Sequence, residues 1–170
     1  MLSLSLLEST RELHPEPLLV DEIIAAITPD MEFEAESRGC SFVSHIEPLP
    51  AISGNSELLR RAIENVTRNA IRFTASGSQV NISAYLVRDA LSPGPAIEVQ
   101  VQDRGPGVPE VSLPYIFRAF YRTDPSRREA TGGFGVGLAE RAVLLHRGQI
   151  RAANLLQGGL EVKITLPIRA

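Results

Sequence analysis

The sequence predicts an α+β fold: a two-layer α/β sandwich in which a mixed, mostly antiparallel sheet is covered on one face by three helices. Most segments in which apolar and polar residues alternate follow one another along the chain, as is typical of antiparallel strands. Three segments with apolar residues at helical spacing interrupt these strands. The chain has 170 residues and 44% of them are hydrophobic, so it can bury the core of one domain.

The N-terminal third of the chain predicts a helix followed by a strand. Residues 14–17, His-Pro-Glu-Pro, predict a break in regular structure, and Asp21 is the expected N-cap of the helix after it. Pro29 is expected to interrupt this helix, which then resumes and ends at Gly39. Residues 41–46 alternate between polar and apolar side chains and predict a strand.

The middle of the chain predicts a strong helix and two paired strands. The helix is expected from Glu57 to about Thr74, because its apolar residues recur at helical spacing. Residues 80–86 and 97–101 alternate and predict two antiparallel strands, the first of them half-buried.

The C-terminal part predicts a loop, a helix and a hairpin. Residues 121–131 are polar without an apolar period and predict a mobile loop. A helix that ends at His146 follows the loop. The strands of the hairpin are residues 150–154 and 160–166, with Gly158-Gly159 as the turn.

Composition excludes several classes of protein. The net charge of −3 gives no support for nucleic-acid binding, so no nucleic acid is expected as a partner. The one cysteine, Cys40, excludes an internal disulfide framework and is expected to be buried or half-buried. No apolar run approaches the roughly 20 residues that span a membrane.

A glycine-rich stretch is the first motif that points to chemistry. Four glycines fall within residues 132–137, and an apolar helical run begins at Leu138. Glycine lets backbone N–H groups approach a ligand closely, and a helix N-terminus adds unpaired N–H donors and partial positive charge. The stretch therefore predicts a phosphate cradle. A loop that only caps the helix is the alternative.

Two asparagines on the central helix form the second motif. Asn65 and Asn69 are four residues apart and therefore share one helix face, with Arg72 one turn later. Asparagine is a poor residue for a helix interior, so the pair needs a reason. An amide oxygen can ligate Mg²⁺, and Arg72 can contact a phosphate. A solvated polar face explains the pair equally well.

The third motif is Asp103-x-Gly105-x-Gly107 at the end of a predicted strand. A buried carboxylate accepts from the exocyclic amino group of adenine and disfavours guanine, which presents an oxygen there. The alternative is a turn aspartate followed by flexible glycines. The basic loop 121–131, which includes Arg122, suits a lid that closes on phosphates, or a solvated loop.

The order of these motifs resembles that of a known family. Asn-x-x-x-Asn-Ala, Asp-x-Gly-x-Gly, Phe-x-x-Phe at 117–120 and Gly-Gly-x-Gly-x-Gly-Leu correspond to the N, G1, F and G2 boxes of the GHKL, or Bergerat-fold, ATP-binding domain of sensor histidine kinases. The resemblance covers residues 14–170. Residues 116–124 and 132–148 look closest to the CpxA-like envelope-stress kinases, and residues 1–13 resemble the tail of the preceding dimerisation helix.

The resemblance implies a role for each matching residue. Asn69 would ligate Mg²⁺, with Asn65 and Arg72 beside it as the catalytic set, and Asp103 would bind the adenine of ATP. The other ATP-binding residues would be Phe73 beside the base, Gly105 and Gly107 along it, Phe117 and Phe120 at the lid hinge, Arg122 in the lid, and Gly132, Gly133, Phe134, Gly135, Val136, Gly137 and Leu138 at the phosphates. Phe134 departs from the family, which usually has threonine there.

Asn65 distinguishes a kinase from a hydrolase. Related ATPases of the family carry a water-activating glutamate at this position, but an amide cannot act as a general base. Glu64 lies about 100° round the helix and is a poor substitute. The sequence therefore favours phosphoryl transfer to a histidine over ATP hydrolysis. A non-catalytic nucleotide-sensing module is the third possibility.

The resemblance also implies partners and a location. None of His14, His45 and His146 has the helical context of the accepting histidine, so the acceptor is expected on an upstream dimerisation domain. His146 is expected to act as a cation at a helix C-terminus. The expected whole protein is a homodimer bound to the bacterial inner membrane that serves a response regulator. This chain is expected to be a cytoplasmic domain of it, either a monomer or a dimer on its own.

Overall fold

The computed structural model describes residues 14–88, 94–117 and 132–168, and for 132–136 only the backbone. The predicted tail 1–13, Phe120, Arg122 and the rest of the predicted lid lie outside the described residues. The described part contains the strands β1 Glu16–Leu18, β2 Ser41–Ile46, β3 Ile52–Gly54, β4 Gln79–Arg88, β5 Pro95–Gln102, β6 Gln149–Asn154 and β7 Leu160–Pro167, and the helices α1 Val20–Ser37, α2 Ser56–Phe73 and α3 Gly132–Leu145.

The main sheet has five strands in the order β2-β4-β5-β7-β6. Strand β2 runs parallel to β4, and the other neighbours are antiparallel. The register aligns Ile82 with Val101 and Val101 with Val162, so these buried side chains share one face of the sheet. The predicted fold class, with its mixed and mostly antiparallel sheet, is confirmed.

The three helices pack on the apolar face of the sheet and complete one core. Helix α2 supplies the largest apolar face, because its buried residues recur at helical spacing. The fully buried side chains Ile24 of α1, Ile63 of α2 and Val143 of α3 belong to the same cluster as Ile82 and Val99 of the sheet. The prediction of a sheet covered on one face by three helices is thus confirmed.

The predicted interruption of the first helix at Pro29 is wrong. Helix α1 runs without a break from Val20 to Ser37. Its buried residues on either side of the proline, Ile27 and Met31, belong to one continuous stripe, so packing on the core outweighs the missing backbone hydrogen bond. The predicted N-cap is also wrong, because Leu19 occupies that position and gives no side-chain cap, while Asp21 lies in the first turn.

A short strand, Glu16–Leu18, begins within residues 14–17, where the sequence predicts a break in regular structure. Glu16–Leu18 pairs antiparallel with Ile52–Gly54 as a separate two-stranded sheet. Pro17 is compatible with this strand because a two-stranded sheet has open edges, where a missing N–H donor is tolerated. The pairing of β1 with β3 holds the start of α1 beside the start of α2.

The glycine-rich stretch is not a loop that precedes the third helix. Helix α3 already begins at Gly132, so all four glycines lie in its first two turns. Glycine has no strong conformational preference of its own, and it continues the helix that Ala139, Ala142 and Val143 anchor in the core. Within the described residues, no helix has the length and apolar character needed to cross a membrane.

Arg147 carries backbone strain at the end of α3. Its φ of +57° places it in the left-handed region, and its N–H donates to the carbonyl of Leu144 at 2.9 Å. The next residue, Gly148, is itself required as a glycine, because a Cβ on Gly148 would clash with the carbonyl of Thr165.

We therefore expect Arg147→Gly to raise the free energy of unfolding by about 0.5–1 kcal/mol. The substitution removes the cost of a left-handed backbone at a residue with a Cβ, and the greater conformational entropy of glycine in the unfolded chain offsets part of this gain. Denaturant unfolding would measure it. Arg147→Ala is the matched control, since it removes the same charge but keeps the Cβ, and it should give no gain. Equal changes in the free energy of unfolding for the two substitutions would show that the backbone at Arg147 is not strained.

Candidate functional site

Asp103 lies directly after β5 and is almost fully buried, with 4% of its surface exposed. Its Oδ1 atom accepts hydrogen bonds from the backbone N–H groups of Gly105, at 2.9 Å, and Leu160, at 3.0 Å. Burial raises the pKa of the carboxyl group, and these two N–H donors oppose the shift. Both bonds fall on Oδ1, so the other oxygen, Oδ2, is the one suited to accept from a ligand.

Two glycines make room for this arrangement. A Cβ on Gly159 would collide with the carbonyl of Asp103, and one on Gly105 would collide with the carbonyl of Phe73. Gly159 also has a φ of +108°, which favours glycine. Sequence reasoning missed the role of Gly159 and Leu160 in holding Asp103, because the pair Gly158-Gly159 predicts only a hairpin turn.

The loop after Asp103 is joined to the C-terminal end of α2. The Arg104 N–H donates to Thr74 Oγ1 at 2.9 Å, and the Ala75 N–H donates to the Arg104 carbonyl at 3.2 Å. Phe73, at this junction, keeps 44% of its surface exposed. The helix that carries the two asparagines thus ends beside the buried carboxylate.

Asn69 has an unusual buried oxygen. Its Oδ1 atom is buried and has no hydrogen-bond partner, a condition that it shares, within the described residues, with Oδ1 of Asp21. Buried polar atoms are normally paired, so an unpaired one calls for a ligand or another explanation. A carbonyl oxygen of this kind is a suitable ligand for Mg²⁺, and the residue therefore fits the cation that the sequence predicts.

Glu64 is held by two arginines on its own helix. Its Oε2 accepts from Arg60 and its Oε1 from Arg68, each at 2.6 Å. The carboxyl group is largely buried, and Arg68 also pairs with Glu34 of α1 at 2.8 Å. Both oxygens are therefore occupied, and Glu64 is poorly placed to take a proton from water.

The remaining predicted residues lie on α2, at the start of α3 or at the edge of the described chain, and Phe120 and Arg122 lie outside it. Asn65 and Arg72 are half-buried on α2, and Phe117 is buried in the core where the described chain stops before residue 118. Gly132, Gly133, Phe134, Gly135 and Val136 form the start of α3, followed by the buried Gly137 and the half-buried Leu138. The first four N–H groups of a helix lack intrahelical partners, so here they belong to the glycine-rich stretch.

Asn154, at the end of β6, fastens the loop between Asp103 and Phe117. Its Oδ1 accepts from the Val108 N–H at 2.9 Å, and its Nδ2 donates to the Val108 carbonyl at 2.6 Å and to Glu110 at 3.1 Å. A Cβ on Gly107, whose φ is +75°, would lie 2.6 Å from Asn154 Oδ1. No sequence signal identified Asn154, since the hairpin pattern assigns it only to a strand.

His146 is not the C-terminal cation that the sequence suggested. Its Nε2 accepts from the Asn55 N–H at 2.9 Å, and its Nδ1 lies 2.7 Å from the Ala142 carbonyl, to which it donates. One ring nitrogen accepts and the other donates, so the ring is neutral. Burial lowers its pKa. The ring therefore joins the end of α3 to the start of α2.

This contact predicts a loss of stability in acid. Below the ordinary histidine pKa of 6.5 the unfolded chain takes up a proton that the folded ring resists, so the stability present above that pH is lost as the pH falls. We expect the gap in unfolding free energy between the wild type and His146→Ala to shrink from pH 7.5 to pH 5.5. Titration of other groups cancels in this difference, and a gap that widens in acid would contradict the neutral ring.

Comparisons with known proteins agree with this arrangement. The chain matches the family of histidine kinase-, DNA gyrase B- and HSP90-like ATPases over residues 54–170. It is 35% identical over 156 residues to the sensor histidine kinase CpxA of Escherichia coli strain K12, a match that covers 90% of this chain and 32% of that protein. The chain thus spans about a third of the length of the curated relatives it matches.

Two solved structures share the fold. The mycobacterial sensor histidine kinase MprB superposes with a TM-score of 0.75 at 26% identity, over 91% of this chain and 98% of that one. Full-length ShkA in complex with AMPPNP gives 0.75 at 27% identity, over 92% of this chain and 31% of that one. With a family match that covers most of its length, this chain belongs to the histidine kinase-, DNA gyrase B- and HSP90-like ATPases.

Proposed function

We propose that this domain binds Mg-ATP and transfers the γ-phosphoryl group to a histidine on a separate dimerisation domain. The observation that carries the proposal is the chemistry of α2. Asn65 stands where a water-activating carboxylate would be needed, and both oxygens of the neighbouring Glu64 are bound by arginine. A site that holds phosphate without a base for water suits transfer to an external nucleophile.

Adenine recognition would rest on Asp103. Its Oδ1 is fixed by two backbone donors, which leaves Oδ2 for the exocyclic amino group of the base. Phe73 lies at the same junction with part of its ring exposed, so it can cover the base. The ShkA structure supports this proposal, because that protein was solved with an ATP analogue.

The phosphates would lie between α2 and the start of α3. Helix α3 begins within the glycine-rich stretch, whose unpaired N–H groups can bind phosphate oxygens. Arg72 would add a charge-assisted contact, and Asn69 Oδ1 would hold the cation.

Transfer needs positioning and charge neutralisation more than covalent help from the protein. The cation, when bound, would neutralise charge on the phosphates. The protein's own part is to orient the nucleotide through Asp103 and to hold the phosphates at the glycines. The acceptor imidazole would come from the dimerisation domain, because His146 is engaged at both ring nitrogens and His45 lies on strand β2, without the helical context of an accepting histidine.

The partners follow from the relatives. CpxA and MprB are named sensor histidine kinases, so the proposed partners are an upstream domain joined through residues 1–13 and a response regulator. We extend the proposal to a membrane-bound homodimer with this domain on the cytoplasmic side. Phe117, Phe120 and Arg122 would belong to the hinge and lid that cover the nucleotide.

The test is phosphate transfer from labelled ATP to a separately supplied dimerisation domain of a CpxA-like kinase. We expect stoichiometric labelling of that domain's histidine, negligible labelling of this chain alone, and little phosphate release. Rapid phosphate release without labelling would instead identify a hydrolase. Nucleotide binding with neither reaction would identify a sensing module. Strong labelling of His14, His45 or His146 would overturn the assignment of the acceptor.

A further inference from the structure

The junction between α2 and the loop after Asp103 contains a directed chain of hydrogen bonds. Thr74 Oγ1 accepts from the Arg104 N–H at 2.9 Å and lies 2.7 Å from Ser78 Oγ. Ser78 Oγ donates its only proton to the Ala75 carbonyl. The Thr74 hydroxyl must therefore donate to Ser78, and each proton in the chain has one defined acceptor.

This junction lies between the two ends of the proposed nucleotide site. Asn69, whose buried oxygen is unpaired, is five positions before Thr74 on the helix side. Asp103, with its fixed Oδ1, directly precedes Arg104 on the loop side. A nucleotide bound to both residues must match the separation between them, and that separation depends on how the loop is attached to the helix.

The loop after Asp103 packs closely against the end of α2, so the two segments have little room to move relative to each other. The Ala75 N–H donates to the Arg104 carbonyl at 3.2 Å, and Gly105 lies so near the Phe73 carbonyl that no Cβ would fit. The bond between the Thr74 hydroxyl and the Arg104 N–H joins α2 to the loop through a side chain. A substitution at Thr74 can therefore remove this bond and leave the backbone bond from Ala75 to Arg104, and every group proposed to touch the nucleotide, in place.

We infer that Thr74 is a positioning residue that sets the adenine-binding carboxylate in register with the Asn69 amide. The inference rests on the proposed function, because it concerns a nucleotide that spans both residues. Loss of the hydroxyl frees the Arg104 N–H and lets the loop shift against the helix. The base then still binds at Asp103, but the phosphates and their cation no longer meet Asn69.

The test compares ADP affinity by calorimetry with Mg²⁺ and with EDTA, in the wild type, Thr74→Val and Thr74→Ser. Valine keeps the shape and the branched Cβ of threonine, and serine keeps the hydroxyl. We expect Mg²⁺ to strengthen ADP binding in the wild type and in Thr74→Ser. In Thr74→Val this enhancement should fall about three- to tenfold, the contribution of one hydrogen bond. ADP affinity in EDTA should stay within about twofold, which also shows that the variant folds.

Other outcomes overturn the inference. If Thr74→Val weakens ADP binding equally with Mg²⁺ and with EDTA, Thr74 has only a structural role. If Mg²⁺ strengthens ADP binding in Thr74→Val as much as in the wild type, Thr74 has no role in positioning the site. If the wild type itself shows no Mg²⁺ enhancement or no ADP binding, the proposed function fails as well, so the two failures are distinguishable.

Discussion

Replacing Asp103 with asparagine is expected to weaken ATP binding by about 100-fold while the domain stays folded. A hydrogen bond to a charged group contributes about 1.5–3 kcal/mol, and the new amide would also place a donor where adenine presents a donor. The asparagine oxygen can still accept from the N–H groups of Gly105 and Leu160, as Oδ1 does in the wild type. The substitution therefore separates recognition of the base from support of the loop.

Asp103→Ala is the matched comparison. It removes the acceptor of both N–H groups, and the Leu160 N–H is buried, so we expect a loss of stability of about 1–3 kcal/mol in addition to the loss of binding. Calorimetry would measure the affinity and denaturant unfolding the stability of each variant. Unchanged ATP affinity in Asp103→Asn would exclude the carboxylate from base recognition.

The elements that the sequence predicts correctly have their determinants within a few neighbouring residues. Helix α2 begins after Asn55, whose side chain accepts from the Leu58 N–H at 3.0 Å, and its apolar residues repeat at helical spacing. Strand β7 alternates between buried and half-buried residues throughout, and β4 and β5 do so over most of their length. Local patterns of this kind fix both the type of the element and the face it buries.

Three of the errors concern features that depend on distant residues. The pairing of Glu16–Leu18 with Ile52–Gly54 joins segments more than 30 positions apart, and nothing within either segment predicts it. The continuity of α1 through Pro29 depends on packing of Ile27 and Met31 in a core built by the whole chain. The role of His146 depends on the Asn55 N–H, 91 positions earlier.

The candidate site divides in the same way. Asp103, Asn65 and Asn69 can be found because a polar residue at a strand end or within a helix departs from the local pattern. Their supporting residues cannot, since the sequence marks Gly159, Leu160, Asn154 and Thr74 only as ordinary residues of a turn, a strand or a helix end. Thr74 and Asn154 accept from backbone N–H groups through their side chains, Leu160 donates its own N–H, and Gly159 allows a close approach of the backbone. These contacts exist only after the hairpin, α2 and the loop have come together.

Replacing Asn69 with alanine is expected to abolish transfer and yet leave the nucleotide-free domain as stable as before, or more stable. The buried Oδ1 of Asn69 has no partner, and a buried unsatisfied polar group costs about 1–3 kcal/mol. Alanine removes that cost and is a better helix former by about 0.6 kcal/mol. The cavity left by the shorter side chain opposes this gain, so we expect a net change between zero and about +1 kcal/mol.

Binding should change in the opposite direction. Without the amide oxygen the cation loses its ligand from the protein, so Mg²⁺ should no longer strengthen ADP binding, whereas ADP affinity in EDTA should be nearly unchanged. Labelling of a supplied dimerisation domain should fall below detection. Asn65→Ala is the matched control on stability, because Asn65 Oδ1 is not among the buried unpaired oxygens and its loss brings no comparable gain.

A functional residue that destabilises its own fold is the expected signature of a ligand site, since only the bound cation satisfies the group. The combination of results is therefore more informative than either alone. Lost transfer with lost stability would mean that Asn69 supports the helix. Gained stability with unaltered Mg²⁺ dependence would mean that the buried oxygen is a packing defect and that the cation is held elsewhere. Only gained or equal stability together with lost Mg²⁺ dependence assigns the oxygen to the metal.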